Sequence, residues 1–181
     1  MKINLASGQR PFKKPWLNID IKDQGYPVDI LTDAKDLHMI EDGTVGIIVA
    51  HHLLEHIAIH ELSDYIREWR RVLKVGGKLA VFVPNLRELD KAWIEGRIST
   101  FIHNVNTYGA YQDSIHDLHK WGYDYQELVN RVSGLNEQDG NKEFNWAGNQ
   151  IISVPWYQSD PAYKDSDCAF DWWILAVEFV K

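Results

Sequence analysis

Three groups of residues suited to binding one ligand follow short apolar segments in the first part of the chain. Residues 4–8 end such a segment in Ala-Ser-Gly, and small residues let a ligand lie against backbone amides. Asp20 ends the second segment, where a carboxylate accepts hydrogen bonds from both hydroxyls of a ribose. Asp33 and Ala34 follow the third segment and can meet the edge of an adenine. Together the three groups predict a nucleoside site.

Two common phosphate-binding motifs do not occur in the sequence. A dinucleotide site requires G-x-G-x-x-G leading into a helix, with an acidic residue about 20 positions further on. Here the turn has a single glycine, an early proline at Pro11, and Asp20 too close to Gly8. The G-x-x-x-x-G-K-[ST] motif of P-loop hydrolases is missing as well. The sequence therefore favours a nucleoside ligand without a pyrophosphate.

Several of the eight histidines are candidates for proton transfer, because the unperturbed pKa of histidine lies near neutrality. His51 follows the fourth apolar segment. His116 and His119 lie within residues 95–123, an aromatic connection without a sustained helical period. A long connection of this kind in a compact domain is more often a lid or binding loop than filler. A surface or helix-capping role is an equally good interpretation of each of these histidines.

His52, His56 and His60 have the spacing of one helical face and suggest a metal site. Three ligands on consecutive turns of one helix do not close easily around a tetrahedral ion. We therefore predict no metal, with a metal-dependent hydrolase kept as a rival interpretation.

The elements that must position these residues are short strands and amphipathic helices. Five strands are predicted in the first half, at residues 3–5, 17–21, 28–31, 45–49 and 79–83. An apolar stripe from Leu62 to Leu73 predicts a helix before the fifth strand, ended by Gly76-Gly77. Strand, helix and strand in this order predict parallel neighbours and the α/β class. Further helices are predicted at residues 86–94 and after Asp124, and further strands at 151–154 and 174–180.

Length and composition predict a single domain over residues 1–181 of a soluble protein. The chain has 19 basic and 26 acidic residues, a net charge of −7, which disfavours nucleic acid as a partner. The single cysteine, Cys168, indicates a reducing compartment. No apolar run is long enough to span a bilayer. We expect a cytoplasmic protein with no membrane partner and leave its oligomeric state open.

Several motifs, in this order, resemble the class I S-adenosylmethionine-dependent methyltransferases, in their compact type-11-like branch. The resemblance covers roughly residues 2–135 and implies a Rossmann-like fold, with a mostly parallel seven-stranded sheet whose last strand is antiparallel. The helix after the first strand is trimmed to a loop at residues 9–15. The motifs that carry the resemblance are residues 4–8, 17–20, 46–56, 70–79, 83–85 and, more loosely, 119–123.

The resemblance also implies a role for individual residues toward S-adenosylmethionine. The turn would contact the methionine part, Asp20 the ribose, and the third group the adenine. The end of the fourth strand would face the sulfonium and the acceptor, and Arg10 is a candidate partner for the carboxylate. The full set of expected cofactor-binding residues is Ala6, Ser7, Gly8, Arg10, Asp20, Asp33, Ala34, Ala50 and His51.

The activity implied is methyl transfer to a hydroxyl or amine of a small molecule. In-line displacement at a carbon bound to positive sulfur mainly requires positioning of the nucleophile, and no metal is needed. His119 is the first candidate for the catalytic base, followed by His51 and His116. Residues 95–123 would hold the acceptor. Two departures from the family pattern, Asn4 for an acidic residue and Ala6 for a glycine, leave an alternative, a degenerate module that binds a nucleoside or a protein partner without catalysis.

Overall fold

One seven-stranded sheet organises the chain in a computed structural model that describes residues 1–9, 11–110, 117–152 and 173–181. The strand order is β3-β2-β1-β4-β5-β7-β6, and only β7 runs against its neighbours. The predicted α/β fold with a reversed last strand is therefore confirmed. The strands are β1 Lys2–Leu5, β2 Trp16–Asp20, β3 Ile30–Leu31, β4 Val45–His51, β5 Leu73–Pro84, β6 Gly148–Ile151 and β7 Ile174–Val180.

In the part of the chain that the structure describes, four α-helices and a one-turn 3₁₀ helix at Leu54–His56 connect these strands. The first α-helix buries the apolar stripe that its sequence predicts, including Ile66 and Trp69. Among the residues described, no helix has both the length and the apolar character needed to cross a bilayer. The helices are α1 Leu62–Val72, α2 Leu86–Ile94, α3 Thr100–Tyr108 and α4 Tyr125–Val132.

The predicted end of the first helix at Gly76-Gly77 is wrong. Helix α1 ends at Val72, and the glycine pair lies inside β5. Strand β5 bulges there, because Val45 pairs with Leu73 while Ile47 pairs with Lys78. A Cβ at Gly77 would lie 2.7 Å from the Lys74 carbonyl oxygen, so glycine serves the close approach of the bulge rather than the helix end.

Helix α3 lies within residues 95–123, where no helical period is visible in the sequence. Ser99 caps it by accepting a hydrogen bond from the Ile102 amide. Its one fully buried residue is His103, which bonds Asp90 at 2.7 Å through Nε2 and stacks on Trp93. The helix is anchored by polar and aromatic contacts instead of an apolar stripe, so periodicity did not reveal it.

The two faces of the sheet carry separate cores. The larger core packs α1 and α4 against one face, with Trp69 and Phe179 among its members. The smaller core on the other face includes Phe12 and Trp16, which meet edge-on with ring centroids 5.0 Å apart. The residues described between β1 and β2 contain no helix, in agreement with the predicted loop, and Phe12 supplies the apolar cover there.

Candidate functional site

A cavity of about 470 Å³ opens where β1, β2, β3 and β4 reach the same edge of the sheet. This volume is within the usual range for small-molecule and cofactor sites. Carboxyl ends of neighbouring parallel strands form such crevices because the chain leaves the sheet there in loops. The lining includes Ala6, Gly8, Asp20, Lys22, Asp33, Ala34, Lys35, His52, Leu53, His56, Tyr65 and Lys120.

The turn after β1 has left-handed backbone conformations at two positions, Ala6 with φ 51° and Gly8 with φ 49°. The Ser7 amide donates to the Ile19 carbonyl at 3.1 Å, which fastens the turn to β2. Ser7 is buried, and it is not part of the cavity lining. The cavity therefore contacts the turn at Ala6 and Gly8, the small residues on either side of Ser7.

The carboxylate of Asp20, which lines the cavity, accepts hydrogen bonds from two turns. Its Oδ2 accepts from the Gly8 amide at 2.8 Å, and its Oδ1 accepts from the Lys22 amide at 2.9 Å. Each carboxylate oxygen can accept a second hydrogen bond. Asp20 thus lines the cavity in a fixed orientation and keeps acceptor capacity for a ligand's hydroxyl groups.

Asp33 and Tyr65 form another part of the lining. The Asp33 carboxylate accepts from the Lys35 amide at 3.0 Å and also bonds the Tyr65 hydroxyl. Burial, followed by the negative charge of Asp33, raises the pKa of Tyr65 far above its usual value. The Ala34 carbonyl accepts from the Trp69 indole at 2.8 Å, so both expected groups already have partners within the protein. Tyr65 was missed as a site residue because its spacing marked it as part of the apolar stripe of α1.

At the end of β4, the cavity is lined by the two residues that follow the expected pair, Ala50 and His51. Ala50 is fully buried within the sheet, and the His51 ring lies 5.3 Å from Phe82 of the smaller core. Neither residue lines the cavity, whereas His52 and Leu53 do. Strand β4 continues through His51, so the chain turns into the cavity only at His52, whose φ is 51°.

His119 lies behind the cavity, beside Glu55 and His56. It lines a second cavity of about 10 Å³ together with Glu55 and Tyr123, while His56 lines the large one. The rings of His56 and His119 meet edge-on at 4.8 Å between centroids. Burial lowers the pKa of His119, and the opposing charge of Glu55 does not restore it. The imidazole is therefore neutral at neutral pH.

Glu55 is a deeply buried carboxylate that the sequence-based site did not include. Burial pushes its pKa upward, but the hydrogen bond from His52 and the positive charges that His52, His56 and His119 carry at acidic pH outweigh that effect and lower the pKa. His52 reaches it through Nδ1 at 2.8 Å. The sequence signal was the Leu-Glu-His stretch at residues 54–56, which the resemblance to the family accounts for as part of the motif at residues 46–56. Two further expected site residues, Arg10 and His116, lie outside the described residues.

Comparison with known proteins gives one family match and many structural ones. Residues 14–81 match the model of a methyltransferase domain family. No curated protein matches the chain.

Solved structures are similar over nearly the whole chain, but at low sequence identity. A protein from Pyrococcus horikoshii has a TM-score of 0.56 at 16% identity, covering 99% of this chain and 80% of its own. A SAM-dependent methyltransferase from Archaeoglobus fulgidus has 0.56 at 14%, covering 99% and 85%. The 1,6-didemethyltoxoflavin-N1-methyltransferase of Burkholderia thailandensis, solved with that compound and S-adenosylhomocysteine, has 0.52 at 11%, covering 99% and 70%. At such identities the likeness establishes the shared fold.

Proposed function

We propose that this chain is a class I S-adenosylmethionine-dependent methyltransferase, which its family match and its fold support. It binds S-adenosylmethionine in the 470 Å³ cavity and methylates a small molecule. The observation that carries the proposal is the position of Asp20. Its carboxylate lies between the small-residue turn and Asp33, at adjoining strand ends. A nucleoside with an amino-acid tail needs these three kinds of contact in this order.

The proposed orientation of the cofactor follows from the lining. The methionine part lies along Ala6 and Gly8, whose backbone approaches the cavity without large side chains. Asp20 accepts hydrogen bonds from the ribose, and Asp33 faces the adenine with the Tyr65 ring as an aromatic neighbour. The sulfonium end is then directed toward His52 and His56. Arg10 remains a proposed partner for the carboxylate.

The proposed acceptor is a hydroxyl or amine of a small molecule, entering from the side formed by residues 95–123. The net charge of −7 disfavours a nucleic-acid substrate. The Burkholderia methyltransferase with the same fold is solved with a small heterocyclic compound, which supports this class. We place the protein in the cytoplasm, as a single domain, on the sequence arguments above.

The chemistry asked of the protein is mainly positioning. The acceptor atom must lie about 3–3.5 Å from the methyl carbon, in line with the carbon–sulfur bond. A base that removes the acceptor proton adds about 10²- to 10⁴-fold. His119 supplies a neutral imidazole for that role, with its Nδ1 held by the Asn106 carbonyl at 2.9 Å. His51 and His116 remain the other proposed candidates.

Calorimetry with S-adenosylhomocysteine tests the proposal. We expect Asp20→Asn to weaken binding about tenfold or more, because one charged acceptor of the ribose hydroxyls is lost. Asp23→Asn is the matched control, since exposed Asp23 also accepts from a turn amide, that of Gly25, but is not part of the cavity lining. Equal affinity in wild type and Asp20→Asn contradicts the placement of the ribose. A folded wild-type chain that binds neither this ligand nor S-adenosylmethionine would instead support the non-catalytic alternative.

A further inference from the structure

Glu55, His56 and His119 each bring a metal-ligating atom to one point behind the large cavity. These three atoms lie within 4.8 Å of one another. Two of the residues belong to the 3₁₀ helix Leu54–His56, and the third follows α3 along the chain. The Glu55 carbonyl accepts from the Lys120 amide at 2.6 Å, which holds the segment carrying His119 against the 3₁₀ helix. The cluster is thus built from two separate parts of the chain.

Both imidazoles are oriented by backbone carbonyls. His56 contacts the Leu118 carbonyl at 3.1 Å and His119 the Asn106 carbonyl at 2.9 Å, each through Nδ1. A carbonyl only accepts hydrogen bonds, so Nδ1 carries the ring proton in both residues. In the neutral form of either ring, Nε2 then carries the lone pair that can bind a metal ion. Carbonyls that bond the far nitrogen in this way are typical of histidines that ligate metals.

Glu55 contributes the carboxylate of the cluster. Its side chain is 1% exposed, and Oε1 accepts from His52 Nδ1 at 2.8 Å. Oε2 is buried, and no group among the described residues donates a hydrogen bond to it. An ionised oxygen at this depth is costly unless a donor or a cation neutralises it. A cation bound between Oε2 and the two Nε2 atoms removes that cost.

We propose that Glu55, His56 and His119 bind one divalent transition-metal ion, most favourably Zn²⁺. Two imidazoles and one carboxylate form a donor set typical of catalytic zinc sites, which keep a fourth position open. Ligands bound to Zn²⁺ at about 2.0–2.2 Å lie closer together than 4.8 Å, so binding would draw the three side chains inward. His52, bonded to Glu55, orients the carboxylate. The exposed His60, whose spacing from His52 and His56 suggested a metal site in the sequence, lies outside this cluster.

The role of the ion rests on the proposed function. His56 lines the large cavity while Glu55 and His119 line the small one, so the ion lies at the junction of the two. An acceptor hydroxyl on the open position loses its proton to solvent water more readily, because the ion stabilises the oxyanion. That oxygen then forms a bond to the methyl carbon as the carbon–sulfur bond breaks, and the electron pair stays on sulfur. His119 would act as a ligand in this arrangement instead of a free base.

Titration of the chelator-treated full-length chain with ZnSO₄, followed by calorimetry and elemental analysis, tests this site. We expect one ion per chain, and a loss of affinity of about tenfold or more in Glu55→Gln, with His119→Gln as an independent second variant. His60→Ala is the control and should bind as wild type. Circular dichroism identifies variants that fail to fold. Stoichiometry of zero in wild type, or equal zinc affinity in wild type and both folded ligand variants, overturns the inference.

Binding of S-adenosylhomocysteine to the same chelator-treated protein separates this inference from the proposed function. We expect that affinity to be retained, because only His56 of the three ligands lines the large cavity and the proposed ribose and adenine contacts, Asp20 and Asp33, are not ligands of the ion. Nucleoside binding without zinc binding overturns the metal site alone. Zinc binding without nucleoside binding supports the site and contradicts the cofactor placement.

Discussion

Ala6 has a left-handed backbone, with φ 51°, where the family pattern has a glycine. A side chain in this conformation costs about 1–2 kcal/mol, whereas glycine adopts it freely. We expect Ala6→Gly to raise the free energy of unfolding by about 0.5–1 kcal/mol, since part of the gain is offset by the greater entropy of glycine in the unfolded chain. Urea denaturation measures this difference.

Ala92→Gly is the control for that substitution. Ala92 is buried in α2, so glycine there should lower the stability by about 1 kcal/mol or more. A loss of stability in both variants would show that the backbone at Ala6 is not strained.

Individual site residues were predictable where they follow directly from a strand end. Gly8, Asp20 and Asp33 line the cavity because their places in the sequence determine their places at the sheet edge. Tyr65 and Glu55 were not predictable in this way, since each reaches the site through the packing of a helix. The end of β4 was predicted two residues early, because the length of the strand depends on its partners and not on its own apolar run.

Among the elements, α4 begins at a charged cap and α3 at a neutral one. Asp124 accepts from the Glu127 amide at 2.9 Å, and Ser99 accepts from the Ile102 amide at 3.2 Å. The Glu127 amide, followed by the bond from Arg87, lowers the pKa of Asp124. Its contribution to stability is therefore present above the usual aspartate pKa and is lost as pH falls through the lower folded value.

We expect Asp124→Ala to reduce the free energy of unfolding by about 1 kcal/mol at neutral pH, a typical cost of losing an N-cap. That cost should shrink as the pH falls below the usual aspartate pKa of about 4, and it should disappear below the lower pKa of the folded protein. Ser99→Ala should cost a similar amount at every pH, because its hydroxyl does not titrate. Urea denaturation at both pH values makes the comparison, and the same pH dependence in the two variants contradicts the assignment.

Element types were better predicted than element boundaries. Strand β7 and helix α2 occupy the predicted residues. Strand β6 spans Gly148–Ile151 and so begins three residues before the predicted 151–154, of which residues 153–154 lie outside the described residues. Strand β6 lies at the sheet edge, where one neighbour alone defines its register. Its mostly exposed side chains leave little apolar pattern to read.

For the whole molecule, the α/β class and the strand arrangement were predictable and are confirmed, and residues 14–81 match a methyltransferase domain family, as the motifs predicted. The order of the motifs carried these predictions, because several of the motifs mark strand ends. The difference in size between the cores on the two faces of the sheet was harder to predict from the sequence. It depends on buried amides: Asn4 donates to Asn18 Oδ1 at 3.0 Å, and Asn18 exchanges hydrogen bonds with the backbone of Phe12.

This network predicts that restoring the family's acidic residue at position 4 destabilises the fold. In Asn4→Asp the donor to Asn18 Oδ1 is replaced by a buried carboxylate oxygen, which faces an acceptor already bonded to the Phe12 amide. We expect a loss of about 2 kcal/mol or more in the free energy of unfolding. Asn149→Asp is the control, since exposed Asn149 accepts from Tyr125 and keeps that capacity as aspartate. Equal stability of Asn4→Asp and wild type contradicts this interpretation.

The two hydrogen bonds from backbone amides to the Asp20 carboxylate have a consequence for the kinetics of ligand binding. They fix the loops on either side of the carboxylate before any nucleoside arrives, so little conformational entropy remains to be lost on association. Ligand binding in the large cavity should then resemble docking onto a preformed site. Its on-rate would be governed by diffusion and orientation instead of slow loop rearrangement.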